Sequence, residues 1–155
     1  KLLRTAVEER FRHTYQAIND HKVEKGIDKL FFIIEAIAET TRKNMNYARA
    51  LSTVLTPRRS DPFTSIRMNT YKNAVAQIHE EGDFHDWIDL EVIAQAVYRH
   101  VHPLYVNWHV DRAKVKTEDF TKFDLSLMLM SVTKGYTLRS VTQMTKTLQK
   151  TLAAS

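Results

Sequence analysis

Apolar residues recur along this chain at intervals of three and four, and alternation with a period of two is absent, so the pattern predicts helices throughout. Leu3, Val7, Phe11, Tyr15 and Ile18 form one stripe on a helix over about Leu2–Asn19, with Glu8, Glu9, Arg10 and Arg12 on its wet side. Asn19-Asp20-His21-Lys22 ends it. After Gly26, Ile27, Leu30, Phe31, Ile34, Ile37, Ala38 and Thr41 make a second stripe, widened by Phe32 and Ile33. That width predicts a central helix with core on more than one side. Beyond a break at Asn44-Met45-Asn46, Tyr47, Ala50, Leu51, Val54 and Leu55 mark a short third helix.

Thr56–Pro62 is the clearest loop. Pro57 pushes Thr56 out of helical geometry, while Asp61 and Pro62 suit the cap and first position of a fourth helix. This helix is expected to turn Ile66 (or Phe63), Met68, Tyr71, Val75 and Ile78 inward, to run to Glu81 and to stop at Gly82. The connector Asp83–Ile88 carries Phe84 and Trp87, both expected to pack down onto the core. Asp89 caps a fifth helix whose stripe is Leu90, Ile93, Ala94, Val97, Val101, Leu104, Tyr105 and Trp108, with a kink expected near Pro103. After the charged loop Asp111–Lys116, Thr117 is expected to cap a sixth helix reaching Gly135, with Glu118 and Asp119 at its positive end. Leu138, Val141, Met144 and Leu148 continue a weaker stripe. The prediction is all-α, an antiparallel bundle of about six helices forming a single domain over residues 1–155.

The sixth helix is apolar almost all round between Phe123 and Val132. A helix with apolar side chains on every face needs cover on every face, more than one small domain supplies. Val97, Tyr105, Phe123 and Leu127 are expected to meet the earlier helices. Leu125, Met128, Leu129 and Val132 are expected to form the seam of a homodimer.

Composition narrows the chemistry. The absence of cysteine excludes disulfides, thiolate metal sites and cysteine nucleophiles, and fits a reducing, cytoplasmic location. No apolar run reaches the roughly 18 residues that span a bilayer, so no membrane partner is expected. Lysine and arginine exceed aspartate and glutamate by 23 to 18, a scattered excess that permits nucleic-acid contact without arguing for it. Lys1 is not a methionine and the helical rhythm starts at once, as in a piece whose N-terminal part lies elsewhere.

Catalytic signals are missing. His100 and His102 cannot share a helix face, and no other histidine pair has dense ligand spacing, so no metal or other cofactor is expected. There is neither a Gly-x-Ser-x-Gly motif nor a glycine-rich phosphate loop, and Glu8-Glu9 and Glu80-Glu81 point apart as solvated neighbours. An enzyme is not expected. The aromatic positions carry more. Phe11, Tyr15, Phe31, Met68, Tyr71, Tyr98, His102 and Tyr105 sit on or beside inward faces, with Trp108 nearby. They read either as ordinary core or as the lining of a cavity for a small hydrophobic effector, with hydroxyl and imidazole groups to orient it.

LLRTAVEERF resembles the helix that follows the DNA-binding head of tetracycline-repressor-type (TetR-type) transcriptional regulators. YARALSTVL resembles that family's short helix after a central one, EEGDF with DLEVIAQAVYRHVHPLYVNW its glycine-stopped helix and acid-capped successor, and LSLMLMSVTKGY its closing helix. The likeness spans nearly the whole chain and rests on helix order and length. It implies the effector-binding and dimerisation domain of a bacterial regulator. In that family the last two large helices of each copy form a four-helix bundle across a two-fold axis. A ligand among the earlier helices alters the DNA affinity of a helix-turn-helix, here placed before Lys1–Thr5 and absent from this chain. The alternative is a helical scaffold or interaction module with a filled core and no ligand.

Overall fold

The structure, a computed structural model, describes residues 2–44, 62–101 and 116–154. Among them run six helices: α1 (Leu2–Asp20), α2 (Gly26–Lys43), α3 (Pro62–Glu80), α4 (Leu90–Val101), α5 (Thr117–Met130) and α6 (Gly135–Ala153). The all-α bundle is as expected. The helix expected at 47–55, the loop at 56–61, the Pro103 kink and most of the loop at 111–116 lie outside the described residues.

Helix α2 is the hub. It packs on α1, α3, α5 and α6, and Ile27, Leu30, Ile33, Ile34, Ile37 and Ala38 are buried in the main cluster. Helices α3 and α4 form one close pair and α5 and α6 another. Gly26 lets α2 start hard against α3, since a Cβ there would lie 2.6 Å from Ile78 Cγ1 and 2.9 Å from the Ala74 carbonyl oxygen. Distances that short leave no room for a side chain.

The end of α3 holds two other helices in place. Gly82 takes φ +76, and the Gly82 and Asp83 amides donate back to the carbonyls of His79 and Ile78, closing the helix in the paired pattern that a left-handed residue permits. The same turn points a carboxylate each way. Glu81 Oε1 accepts the Gly26 amide at 2.8 Å, at the start of α2. Buried Asp83 accepts the Thr137 amide at 3.0 Å and the Thr137 hydroxyl at 2.7 Å, at the start of α6. Each carboxylate thus satisfies donors that a helix start leaves open, and each meets the positive end of a helix dipole. Main-chain bonds from Lys134 to Asp83 and from His85 to Val132, with an isolated antiparallel bridge between Phe84 and Thr133, complete the joint.

Three local expectations are corrected. Helix α5 ends at Met130, and Gly135, with φ +62, opens α6 instead of closing α5. Lys116, not Thr117, holds the extended position before α5. Trp87 does not pack down: Phe84 is buried, but Trp87 is 72 % exposed, stacked beside the His85 ring.

Candidate functional site

Helix α3 carries the most unusual side chain of the interior. Arg67 keeps only 2 % of its surface exposed. It lies one turn before Tyr71, on the face that also buries Thr70, Ala74, Val75 and Ile78. Its guanidinium carbon sits 5.4 Å from the centre of the Tyr98 ring, contributed by α4. That ring meets Tyr71 edge-on at 5.8 Å. Tyr98 therefore contacts both a cation and a phenol. A guanidinium over an aromatic face recovers part of its lost hydration through the ring quadrupole. Leaving water still costs several kcal/mol for an ion of this kind.

The Tyr71 hydroxyl is fully buried, and it has no hydrogen-bond partner among the described residues. Burial pushes its pKa well above the usual tyrosine value, with Arg67 pulling the other way, so at neutral pH it is a proton donor. The hydroxyls of Thr41 and Ser126 share this unbonded state among the described residues.

The expected effector lining divides. Phe11, Tyr15 and Tyr71 have no accessible surface, so no void wide enough for water adjoins them. Phe31, Met68 and Tyr98 are half-buried, and Met68 stays outside the core cluster. The structure brings Tyr71 and Tyr98 together. His102 and Tyr105 lie outside the described residues. Arg67, in place of Met68, takes the inward position. The signal for it was present, since Arg67, Tyr71, Ala74 and Ile78 share one helical face. A charged residue at an inward phase is ordinarily assigned to solvent.

The expected dimer seam also changes. Leu125 and Leu129 are fully buried within the single chain and Val132 nearly so, while Met128 is half-buried against the core. Of the two α5 residues expected to meet the earlier helices, Phe123 is half-buried and Leu127 is 47 % exposed, and Phe120, two turns before Leu127, is 45 % exposed. Polar residues on the inner face explain the inversion. Glu118 is buried there and accepts from Arg42 Nη1 of α2 at 2.7 Å, and Lys122 pairs with Glu35 of the same helix. Ion pairing let charged side chains occupy the inner face and left two large apolar ones outside.

Among the described residues no three His, Asp or Glu side chains are placed to hold one metal ion. No described helix is long and apolar enough to cross a membrane. Compared with family models, curated proteins and solved structures, the chain matches none.

Proposed function

We propose that this chain is the effector-binding and dimerisation domain of a cytoplasmic bacterial transcriptional regulator. Its ligand is a small hydrophobic molecule, and its DNA contact is made by a helix-turn-helix outside the chain. What carries this reading is the placement of Arg67, Tyr71 and Tyr98: a cation and a donor hydroxyl inside an aromatic core, on the helix whose terminal turn holds both α2 and α6. A ligand that moves α3 moves the starts of two other helices with it, which is the mechanical coupling an effector domain requires. Phe11, Tyr15 and Tyr71 are closed to solvent, so the ligand enters by opening the cluster at half-buried Tyr98.

The outward face of α5 is the dimer contact in this reading. Phe120, Asp124 and Leu127 lie along one line of the helix, and Lys116 stands just before its first turn. Lys116 and Asp124 are exposed and form no ion pair among the described residues. An antiparallel two-fold packing centred on Phe120 sets each copy's Lys116 opposite the other copy's Asp124, twice over.

Native mass spectrometry of the purified chain, combined with a thermal-shift screen of hydrophobic small molecules, tests both parts. A dimer is expected, along with at least one compound that raises Tm saturably. Ligand at a hundred times Kd contributes about 2.7 kcal/mol. Leu127→Arg should give a folded monomer, whereas Leu129→Arg, which places a charge in the core, should unfold the chain. A monomeric wild type removes the dimer, and the absence of any saturable shift removes the effector.

A further inference from the structure

We infer that the outward face of α6 binds the sugar-phosphate backbone of a nucleic-acid duplex through Arg139, Lys146 and Lys150. The contact is made by this chain itself and does not depend on the effector reading. Charge is spread unevenly over the described helices. Each of the other five carries at least one Asp or Glu beside its Lys and Arg, whereas α6 carries none. From Ser131 to Ser155 the chain has Lys134, Arg139, Lys146 and Lys150 and no acid, so this segment supplies +4 of the net +5. Lysine and arginine are scattered along the whole sequence; the lack of acid here concentrates the excess. A helix turns by about 100° per residue, which sets Arg139, Lys146 and Lys150 within about 40° of one another, opposite buried Val141, Thr145 and Leu148. All three cations are exposed, and none pairs with a carboxylate among the described residues. Like charges four residues apart, as at Lys146 and Lys150, disfavour a helix. The helix dipole accounts for Lys150 in the last turn, but not for Lys146 or for Arg139 near the positive end.

Cations in a line fit a linear polyanion. With a rise of about 1.5 Å per residue, Arg139 to Lys150 spans about 16 Å, or roughly five phosphate steps along one strand. Exposed Gln143, Thr147 and Gln149 flank the cations with neutral hydrogen-bonding groups of the kind that contact phosphate oxygens. The strip lacks what other anionic partners need. A membrane-surface helix carries Trp, Phe or Leu beside its cations, and a protein interface has an apolar or aromatic centre. Between Arg139 and Ala153 no large apolar side chain is exposed: Val141 and Leu148 are buried, and Met144 and Leu152 half-buried. No aromatic ring stands there either, so the strip suits a duplex better than a single strand, whose bases bind on stacking platforms. Tyr136 lies before the strip, and its hydroxyl donates to Asp28 at 2.9 Å.

Fluorescence anisotropy of the full chain with labelled mixed-sequence DNA and RNA duplexes tests this, with circular dichroism to confirm the fold of each variant. Three phosphate contacts predict a roughly 40-fold loss of affinity between about 50 and 200 mM salt. The combined variant Arg139→Gln, Lys146→Gln and Lys150→Gln should bind at least about tenfold more weakly at the lower salt and lose most of the salt dependence. A second combined variant, Arg12→Gln, Lys22→Gln and Arg99→Gln, removes three exposed cations elsewhere and lowers the net charge equally. It should bind nearly as wild type does. Binding of either duplex through the strip upholds the inference, and the ratio of the two affinities tells DNA from RNA as the source of the backbone. Equal losses in the two variants would assign the binding to net charge and overturn it. So would the absence of duplex binding at the lower salt, or capture of phosphatidylserine vesicles through the strip by a chain that binds neither duplex. A failed effector screen leaves each of these outcomes unchanged.

Discussion

Two places on and just after α3 treat their polar groups oppositely. At the turn after α3, Glu81 and Asp83 each find helix-start donors, and Asp83 also accepts a buried threonine hydroxyl. Ten to twelve residues earlier, within α3, Tyr71 has a buried hydroxyl with no acceptor among the described residues, beside a guanidinium held under an aromatic ring. The turn has the signature of structure, in which each carboxylate closes the helix start it faces. The cluster instead leaves a buried donor unbonded among the described residues, which is the feature the proposed effector site draws on.

Mutations sharpen that contrast. The largest effect is expected for Asp83→Ala, which removes two hydrogen bonds and the anion at the start of α6; unfolding free energy measured in denaturant should fall by about 2–3 kcal/mol. Glu81→Ala removes one helix cap from a half-exposed site and should cost about 1 kcal/mol in the same assay.

Alkaline pH should act on the cluster and spare the turn. The unfolded chain releases the Tyr71 proton near the ordinary value of 10.0, while the native state holds it higher. Above that pH the unfolded state therefore binds fewer protons and stability falls, at up to about 1.4 kcal/mol per pH unit for one proton. Below it the contribution is fully present. Denaturant titrations at pH 9 and pH 11 should show this loss, and Tyr71→Phe should reduce it.

The smallest effect is expected for Tyr71→Phe at neutral pH. Removing a hydroxyl that has no partner among the described residues should change stability by less than about 1 kcal/mol, with a gain as the natural sign. A loss as large as that of Asp83→Ala would show that Tyr71 is bonded in the native state and would erase the distinction between the two places.

The helices were legible because their apolar spacing is regular: the bounds of α1 and the buried stripe of α2 match the pattern closely. Asp89 does cap α4, its Oδ1 accepting the Val92 amide at 3.1 Å. What the pattern missed were positions where charge or local geometry decides. Arg67 and Glu118 point inward because an aromatic ring and Arg42, both distant in sequence, receive them, and helix periodicity carries no record of such partners. Gly135 looked like a helix stop because glycine commonly ends helices, but its positive φ serves a turn that lets α6 start against Asp83. Leu125 and Leu129 could not be told from Phe120 and Leu127 by hydropathy alone, because α5 is apolar on both sides. Of the expected effector lining, the pairing of Tyr71 with Tyr98 came through, while the arginine that gives the pair its chemistry did not.

The place of the turn at Glu81–Asp83 between the two helices it holds also has a consequence for how the protein is made. Its two carboxylates reach back 55 residues to Gly26 and forward 54 to Thr137, so the two loops they close are nearly equal in length and carry nearly equal closure entropy. They cannot close at the same moment during synthesis. The α2 contact can form once α3 leaves the ribosome, whereas Asp83 keeps a bare carboxylate until the 19 residues of α6 emerge. Helix α6 is therefore the segment that finishes the joint, and chains stopped before Gly135 should persist as partly assembled helices, vulnerable to proteolysis at the unoccupied end of the α3 turn.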